Sequence, residues 1–236
     1  MHQVDHRLLR INIGCGRSPT PRWLNFDSSP SVFIARLPFL WSVVKPVAEK
    51  LISRDQSDFI AFARSNRLLF GDATKGLPLR ASSCGVVYAS HVLEHLDAHG
   101  VRLFLAEVLR IFSPGGTLRL VVPDLQILVD LYNADGDGNG FVSRLNVVPS
   151  RSQVDWSSLL NALTGHRTLH QWIYNEASLS TTLLEAGFEQ PTKLLPGQTT
   201  IPYCEELNLW ERAWESLYME ARKPLSLKEH GSSSHG

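Results

Sequence analysis

Cysteine is scarce in this chain, and so is any excess of charge. The three cysteines, Cys15, Cys84 and Cys204, are odd in number, lie far apart and form no C-x-x-C pair. That argues against a disulfide framework or a zinc knuckle and fits a reducing compartment. Lysine plus arginine and aspartate plus glutamate both number 23, so the formal net charge is zero. No global field therefore draws nucleic acid or an anionic membrane, and such a partner would need a local patch. The longest greasy run, Val32 to Val44, is interrupted by Arg36 and Pro38 and falls short of the ~20 apolar residues of a spanning helix. The first strand-like run starts at Leu8, too early for the charged, apolar and cleavage regions of a secretory leader. The expected location is cytoplasmic. No internal repeat is visible.

What is present is an alternation of strands and helices. Leu8 to Ile13 reads as a short buried strand running into Gly14-Cys15-Gly16, and Trp23 to Phe26 as a second with Asp27 at its tip. Arg67 to Phe70 is a third, followed by Gly71-Asp72-Ala73, and Gly85 to Ala89 a fourth that leads into Ser90-His91. Thr117 to Val122 is a β-branched fifth, ending at Pro123-Asp124. The stretch 31–64 looks helical but is broken near Pro38 and Pro46. Val101, Phe104, Leu105 and Val108 follow the i, i+3, i+4, i+7 spacing of one helical face, and Ser113-Pro114-Gly115-Gly116 ends that helix. Further helices are expected to about Asn133, near 153 to 163 and near 177 to 186, with strands at Thr192 to Leu195 and Leu217 to Glu220.

This order predicts an α/β fold with a doubly wound, mostly parallel Rossmann-like sheet and helices on both faces. A single domain would span 1–227, with a helical insert at about 31–66, a C-terminal acceptor-side region at about 125–227 and a polar, disordered tail at 228–236. In such sheets ligands bind beyond the carboxyl ends of the strands. Gly14, Gly16, Asp27, Asp72, Ser90 and His91 all fall there. The glycine pair allows close approach to the backbone, and an acid at the tip of the next strand can accept from two ribose hydroxyls. Pro19 stands where G-x-G-x-x-G would have its third glycine, and Asp27 follows sooner than the ~20 residues of a dinucleotide site. A ligand with ribose and adenine but no phosphates suits this loop better than a dinucleotide.

Five segments carry a family resemblance. They are Ile-Asn-Ile-Gly-Cys-Gly at 11–16, Trp-Leu-Asn-Phe-Asp at 23–27, Gly-Asp-Ala at 71–73, Ser-His-Val-Leu-Glu-His-Leu at 90–96, and the run from Leu109 through Ser113-Pro114-Gly115-Gly116 to Pro123-Asp124. In this order they resemble the successive motifs of class I S-adenosylmethionine-dependent methyltransferases. Gly-His-Arg at 165–167, Leu-Leu-Glu-Ala-Gly-Phe at 183–188 and Ser-Leu-Tyr-Met-Glu-Ala at 216–221 extend the likeness to a bacterial branch associated with surface-polysaccharide functions. The resemblance implies S-adenosylmethionine as cofactor and S-adenosylhomocysteine as its product. It implies that Gly14, Cys15 and Gly16 line the methionine end, Asp27 holds the ribose, Asp72 with Ala73 meets the adenine, and Ser90 and His91 border the sulfonium. The chain departs from the pattern in two places. Asn12 replaces the usual acid of the first motif, and Cys84-Gly85 stands where an acid precedes the fourth strand. The second departure leaves a non-catalytic binding module as an alternative.

Other constellations compete. His91, Glu94 and His95 fit H-x-x-E-H, which on a helix would place two imidazoles on one face and make a zinc hydrolase the sharp alternative. No third ligand is evident beside them, so no metal is expected; a plainer reading has these histidines capping the helix start. Asp135, Asp137 and Asn139 with Gly140 match the first half of a calcium loop, but position twelve is Asn146 rather than glutamate. Phe39 and Trp41 with Lys45 and Lys50 could make a peripheral membrane contact through the insert, or the insert could cover the active site as a lid.

Methyl transfer from a sulfonium to a hydroxyl also requires a base, and histidine titrates in the suitable range. His91 and His95 are the first candidates, with His166 as an acceptor-side third. A sugar, a polysaccharide precursor or another small hydroxyl compound is the expected acceptor, and nucleic acid is not expected as a partner.

Overall fold

The computed structural model describes residues 8–37, 54–147 and 169–225. Its strands are β1 (Leu9–Ile13), β2 (Leu24–Asp27), β3 (Leu69–Phe70), β4 (Cys84–Ser90), β5 (Phe112–Pro123), β6 (Glu189–Leu194) and β7 (Ser216–Arg222). They form one seven-stranded sheet in the order β3-β2-β1-β4-β5-β7-β6. β1 to β5 pair in parallel, while β7 runs antiparallel between β5 and β6. The order reverses between β1 and β4, which opens a crevice at the carboxyl ends of those two strands.

Both faces of the sheet are covered, as a parallel sheet requires. Helix α1 spans Pro30–Ala35, α2 Arg54–Ser65, α3 Ala98–Ile111, α4 Leu125–Asp135, α5 Gly138–Leu145 and α6 Glu176–Glu185. On one face the anticipated stripe of α3 (Val101, Phe104, Leu105, Val108) packs with Ile11, Val87, Leu118 and Leu120 into the main core. Val86, Tyr88 and Val121, one residue out of step along the same strands, instead form a second cluster with Trp23, Ile201, Leu207 and Tyr218. This period-two division explains why β4 and β5 read as continuous apolar runs.

Arg119 interrupts that apolar pattern, although it is completely buried. It lies opposite Glu220 on β7 and pairs with it at 2.8 Å. Its Nη1 also donates to the Gln198 carbonyl at 2.9 Å. Glu220 in turn accepts from the Thr200 N–H at 2.8 Å and the Thr200 hydroxyl at 2.6 Å. The pair thus ties the segment leading into β7 onto the sheet.

One local expectation changes. Ser113–Gly116 is not a loop between helix and strand, because α3 runs straight into β5. The pairing jumps from Cys84↔Phe112 to Val86↔Thr117, so these four residues form a bulge, with Gly115 at φ 77°. The Asp/Gly run at 135–140, which lacks the twelfth ligand of a calcium loop, forms a helix junction. Asp137 caps α5 by accepting from the Gly140 N–H at 3.0 Å, and Asp135 accepts from the Asp137 N–H at 2.8 Å and pairs with Arg144 at 3.1 Å. Since both carboxylates are already engaged, 1 mM Ca²⁺ should raise stability by less than about 0.4 kcal/mol, the ceiling for a site no tighter than millimolar. A thermal shift of several degrees on adding calcium would contradict this.

Among the described residues, no helix is long and apolar enough to cross a membrane. His166, the helix expected near 153–163, Phe39, Trp41, Lys45, Lys50 and the tail at 228–236 lie outside the described residues.

Candidate active site

The crevice is built from four strand ends. After β1 the chain turns through Gly14 and Gly16, at φ 70° and 49°, a left-handed conformation natural to glycine. The Gly14 and Cys15 N–H groups both donate to the Phe26 carbonyl of β2, at 2.8 and 3.1 Å. A Cβ on Gly14 would stand 2.3 Å from Val92, so this glycine lets the loops after β1 and β4 meet. A Cβ on Gly16 would meet nothing within 4 Å, which leaves open space above it. The Cys15 side chain points elsewhere, into a cluster with Val32, Ile60 and Leu68. Burial and then the nearby Asp27 charge push its thiol up to about 12, so it stays protonated and offers only its backbone.

Asp27 ends β2 almost fully buried. One carboxylate oxygen accepts from the Gly16 N–H at 3.0 Å and the other from the Ser29 N–H at 2.8 Å. Each bond uses one lone pair and leaves another for a ligand hydroxyl.

Asp72 is more self-contained. Its Oδ1 accepts from the Thr74 N–H at 2.9 Å and the Thr74 hydroxyl at 2.7 Å, and Oδ2 pairs with Lys75 at 3.0 Å. Burial alone would raise this carboxyl, but the Thr74 hydroxyl, the Lys75 ammonium and the Thr74 N–H hold it below its ordinary value. It therefore shapes the turn that buries Ala73.

The far end of that turn is held by Glu107 of α3, which accepts from the Leu77 N–H at 2.6 Å and from Arg110 Nε and Nη2 at 2.6 and 2.7 Å. Burial opposes ionisation of Glu107, yet the Arg110 and Leu77 hydrogen bonds hold its carboxyl below the usual glutamate value. Because the folded value is depressed, its stabilisation is present above ~4.3 and is lost as pH falls through the lower folded value. Glu107→Gln should flatten this part of the stability curve in urea unfolding between pH 3 and 6. An unchanged slope would contradict the assignment.

Directly after β4, His91 has φ 53°, uncommon for a residue with a side chain and typical of functional sites. Its N–H donates to the Val121 carbonyl of β5 at 2.8 Å, which fixes this backbone. The imidazole is held at both ends: Nδ1 lies 3.0 Å from Glu94 Oε1, and Nε2 lies 3.2 Å from the Ser216 hydroxyl at the start of β7. A carboxylate accepts only, so Nδ1 carries the proton and Nε2 presents its lone pair.

The H-x-x-E-H run is not on an α-helix. Only Leu93–His95 forms a single 3-10 turn, and His91 faces Glu94 and Ser216 rather than sharing a helical face with His95. His95 turns the other way, with Nδ1 3.2 Å from the Leu169 carbonyl, and its ring centroid is 5.3 Å from that of His170. Burial, offset only in part by the charge of Glu94, lowers the pKa of His170. Sequence reading gave no site role to Ser216 or His170, although Ser216 opens the segment 216–221 that carries part of the resemblance.

Residues 41–120 match a protein family described as a methyltransferase domain. That match spans only residues 41–120 of the 236, and so marks a likeness of this segment to a methyltransferase domain. The matched segment contains Asp72, Ser90 and His91, whereas the loop at Gly14–Gly16 precedes it. Among solved structures, a SAM-dependent methyltransferase from Methanosarcina mazei shares 13% identity over 94% of this chain and 95% of its own, with a TM-score of 0.51. Another from Archaeoglobus fulgidus shares 15% identity over 92% of this chain and 87% of its own, with a TM-score of 0.50. At such identities the likeness is one of fold. No curated protein is similar in sequence. S-adenosylmethionine is the cofactor that this fold implies, and the crevice offers it open space over Gly16 and free lone pairs on a buried Asp27.

Proposed function

We propose that this chain is an S-adenosylmethionine-dependent methyltransferase that acts on a hydroxyl of a sugar, a polysaccharide precursor or another small acceptor. The observation that carries this reading is His91, held by the buried Glu94 with its Nε2 lone pair facing only the Ser216 hydroxyl, at the strand end next to the glycine loop. Gly14, the Cys15 backbone and Gly16 receive the methionine end, Asp27 takes the ribose hydroxyls, and Asp72 with Ala73 borders the adenine. Ser90 and His91 flank the reacting methyl.

When bound, S-adenosylmethionine supplies an electrophilic methyl whose positive charge disappears on transfer, so the protein's tasks are alignment and exclusion of water. A proton must also leave the acceptor hydroxyl, and His91 Nε2 takes it, with the Ser216 hydroxyl giving way to the acceptor. Glu94 stabilises the imidazolium so formed, as a carboxylate does in any base paired in this manner. His95 stands second as a base, and His166 is assigned to the acceptor side. Exposed indoles support a sugar acceptor: Trp172 is 56% and Trp214 73% exposed, beside the segments that touch Glu94 and His91, and such faces stack against apolar sugar surfaces.

Incubation with methyl-labelled S-adenosylmethionine and a panel of glycan and amine acceptors tests the reading. Label stable to base on hydroxyl-bearing glycans is expected. Label on amine or thiol acceptors alone would overturn it.

A further inference from the structure

Across the crevice from the glycine loop, the turn after β4 meets the segment that enters from residue 169. Gln171 and Trp172 donate their N–H groups to the Glu94 carbonyl, at 2.6 and 3.3 Å. This docking brings His170 to Glu94 and His95, and one potential ligand atom from each of the three lies within 4.8 Å of the others. We propose that Glu94, His95 and His170 bind one divalent transition-metal ion of the zinc type.

Three observations point the same way. First, both imidazoles are oriented through their inner nitrogens. His95 Nδ1 lies 3.2 Å from the Leu169 carbonyl and His170 Nδ1 2.9 Å from the Leu145 carbonyl. A carbonyl only accepts, so each Nδ1 is protonated and each Nε2 keeps its lone pair, the arrangement in which histidines ligate metals. Second, Glu94 is fully buried, and while Oε1 serves His91, Oε2 has no hydrogen-bond partner. A buried carboxylate oxygen without a partner is costly, and a bound cation removes the cost. Third, the donor set has chemical meaning: two imidazoles and one carboxylate suit zinc, leave a coordination position open, and are poor ligands for calcium or magnesium.

The ligand atoms must draw together to hold an ion. They lie within 4.8 Å of one another, with His95 Nε2 4.0 Å from Glu94 Oε1, whereas ligands ~2.0–2.1 Å from a tetrahedral ion lie roughly 3.3–3.4 Å apart. The His95 side chain is 31% exposed and can turn inward. Glu94 then bridges the ion and His91, so the open coordination position lies one side chain from the proposed base. This site is not the H-x-x-E-H pair of the sequence, because His91 is replaced as ligand by His170.

The site does not depend on the acceptor chemistry proposed above, and the experiment keeps the two apart. Chelator-treated protein is titrated calorimetrically with Zn²⁺, and S-adenosylhomocysteine binding is measured on the same samples. One Zn²⁺ per chain is expected, with His95→Gln and His170→Gln each weakening it at least about tenfold, while the exposed His99→Gln leaves it unchanged. Absence of saturable zinc binding, or binding indifferent to both substitutions, would overturn the site, whatever S-adenosylhomocysteine does. A second readout needs no variant: in the wild type, Zn²⁺ should protect the His95 and His170 rings, but not His99, from diethyl pyrocarbonate, as read by peptide mass spectrometry. Equal modification with and without zinc would also overturn the proposal. Loss of S-adenosylhomocysteine binding alone would count against the methyl-donor reading and leave the metal site standing.

Discussion

Replacing His91 lowers turnover by ~10² to 10⁴, the cost of a lost general base, while S-adenosylhomocysteine affinity is retained. Because the residue sits at φ 53°, where alanine is strained and asparagine is tolerated, His91→Asn is the cleaner variant. If instead cofactor binding falls and turnover at saturating cofactor survives, His91 shapes the cofactor pocket, and the base must be sought at His95 or His166.

Glu220→Ala should cost about 3–5 kcal/mol, since it leaves the Arg119 charge buried without its partner. Two guanidinium nitrogens of Arg119, Nε and Nη2, already lack hydrogen-bond partners, so little remains to absorb the loss beyond the Gln198 carbonyl and the Tyr218 ring, 5.3 Å from the guanidinium. For a chain of this size the expected fall in Tm is roughly 6 to 20 °C. Replacing both members with apolar residues, as in Arg119→Met with Glu220→Leu, should recover much of it. A loss below about 1 kcal/mol for Glu220→Ala, read from urea unfolding, would show that water reaches the pair.

The fold was legible because the strands β1, β4 and β5 are largely buried on both faces, with β1 breaking at Gly14 and β5 at Pro123, and because the α3 stripe has an unambiguous helical period. The strand-end positions of Gly14–Gly16 and Asp27 were legible for the same reason, whereas Asp72 lies two residues beyond β3. One signal confined to composition misled. Ser113–Gly116 carries helix-stop residues, yet the strand pairing of Phe112 with Cys84 turns them into a bulge. The Asp/Gly run at 135–140 lacks the last calcium ligand, and a cap, a turn hydrogen bond and an ion pair occupy its oxygens. Glu94 was legible beside His91 in the H-x-x-E-H run, but the distant partners of His91 and His95 could not be read. Ser216 reaches His91 because β7 inserts antiparallel beside β5, and His170 reaches Glu94 through backbone docking; both are contacts of topology, with no spacing in sequence to announce them.

Titration of the purified chain with S-adenosylhomocysteine, with Asp27→Ala alongside, tests most directly whether the ends of β1 and β2 hold the methyl donor. One-to-one binding is expected in the wild type. In the variant, affinity should fall by about 1.5–3 kcal/mol, the scale of hydrogen bonds to a charged group, with the fold intact by circular dichroism. Absence of binding to the wild type, or equal affinity in a folded Asp27→Ala, would contradict it.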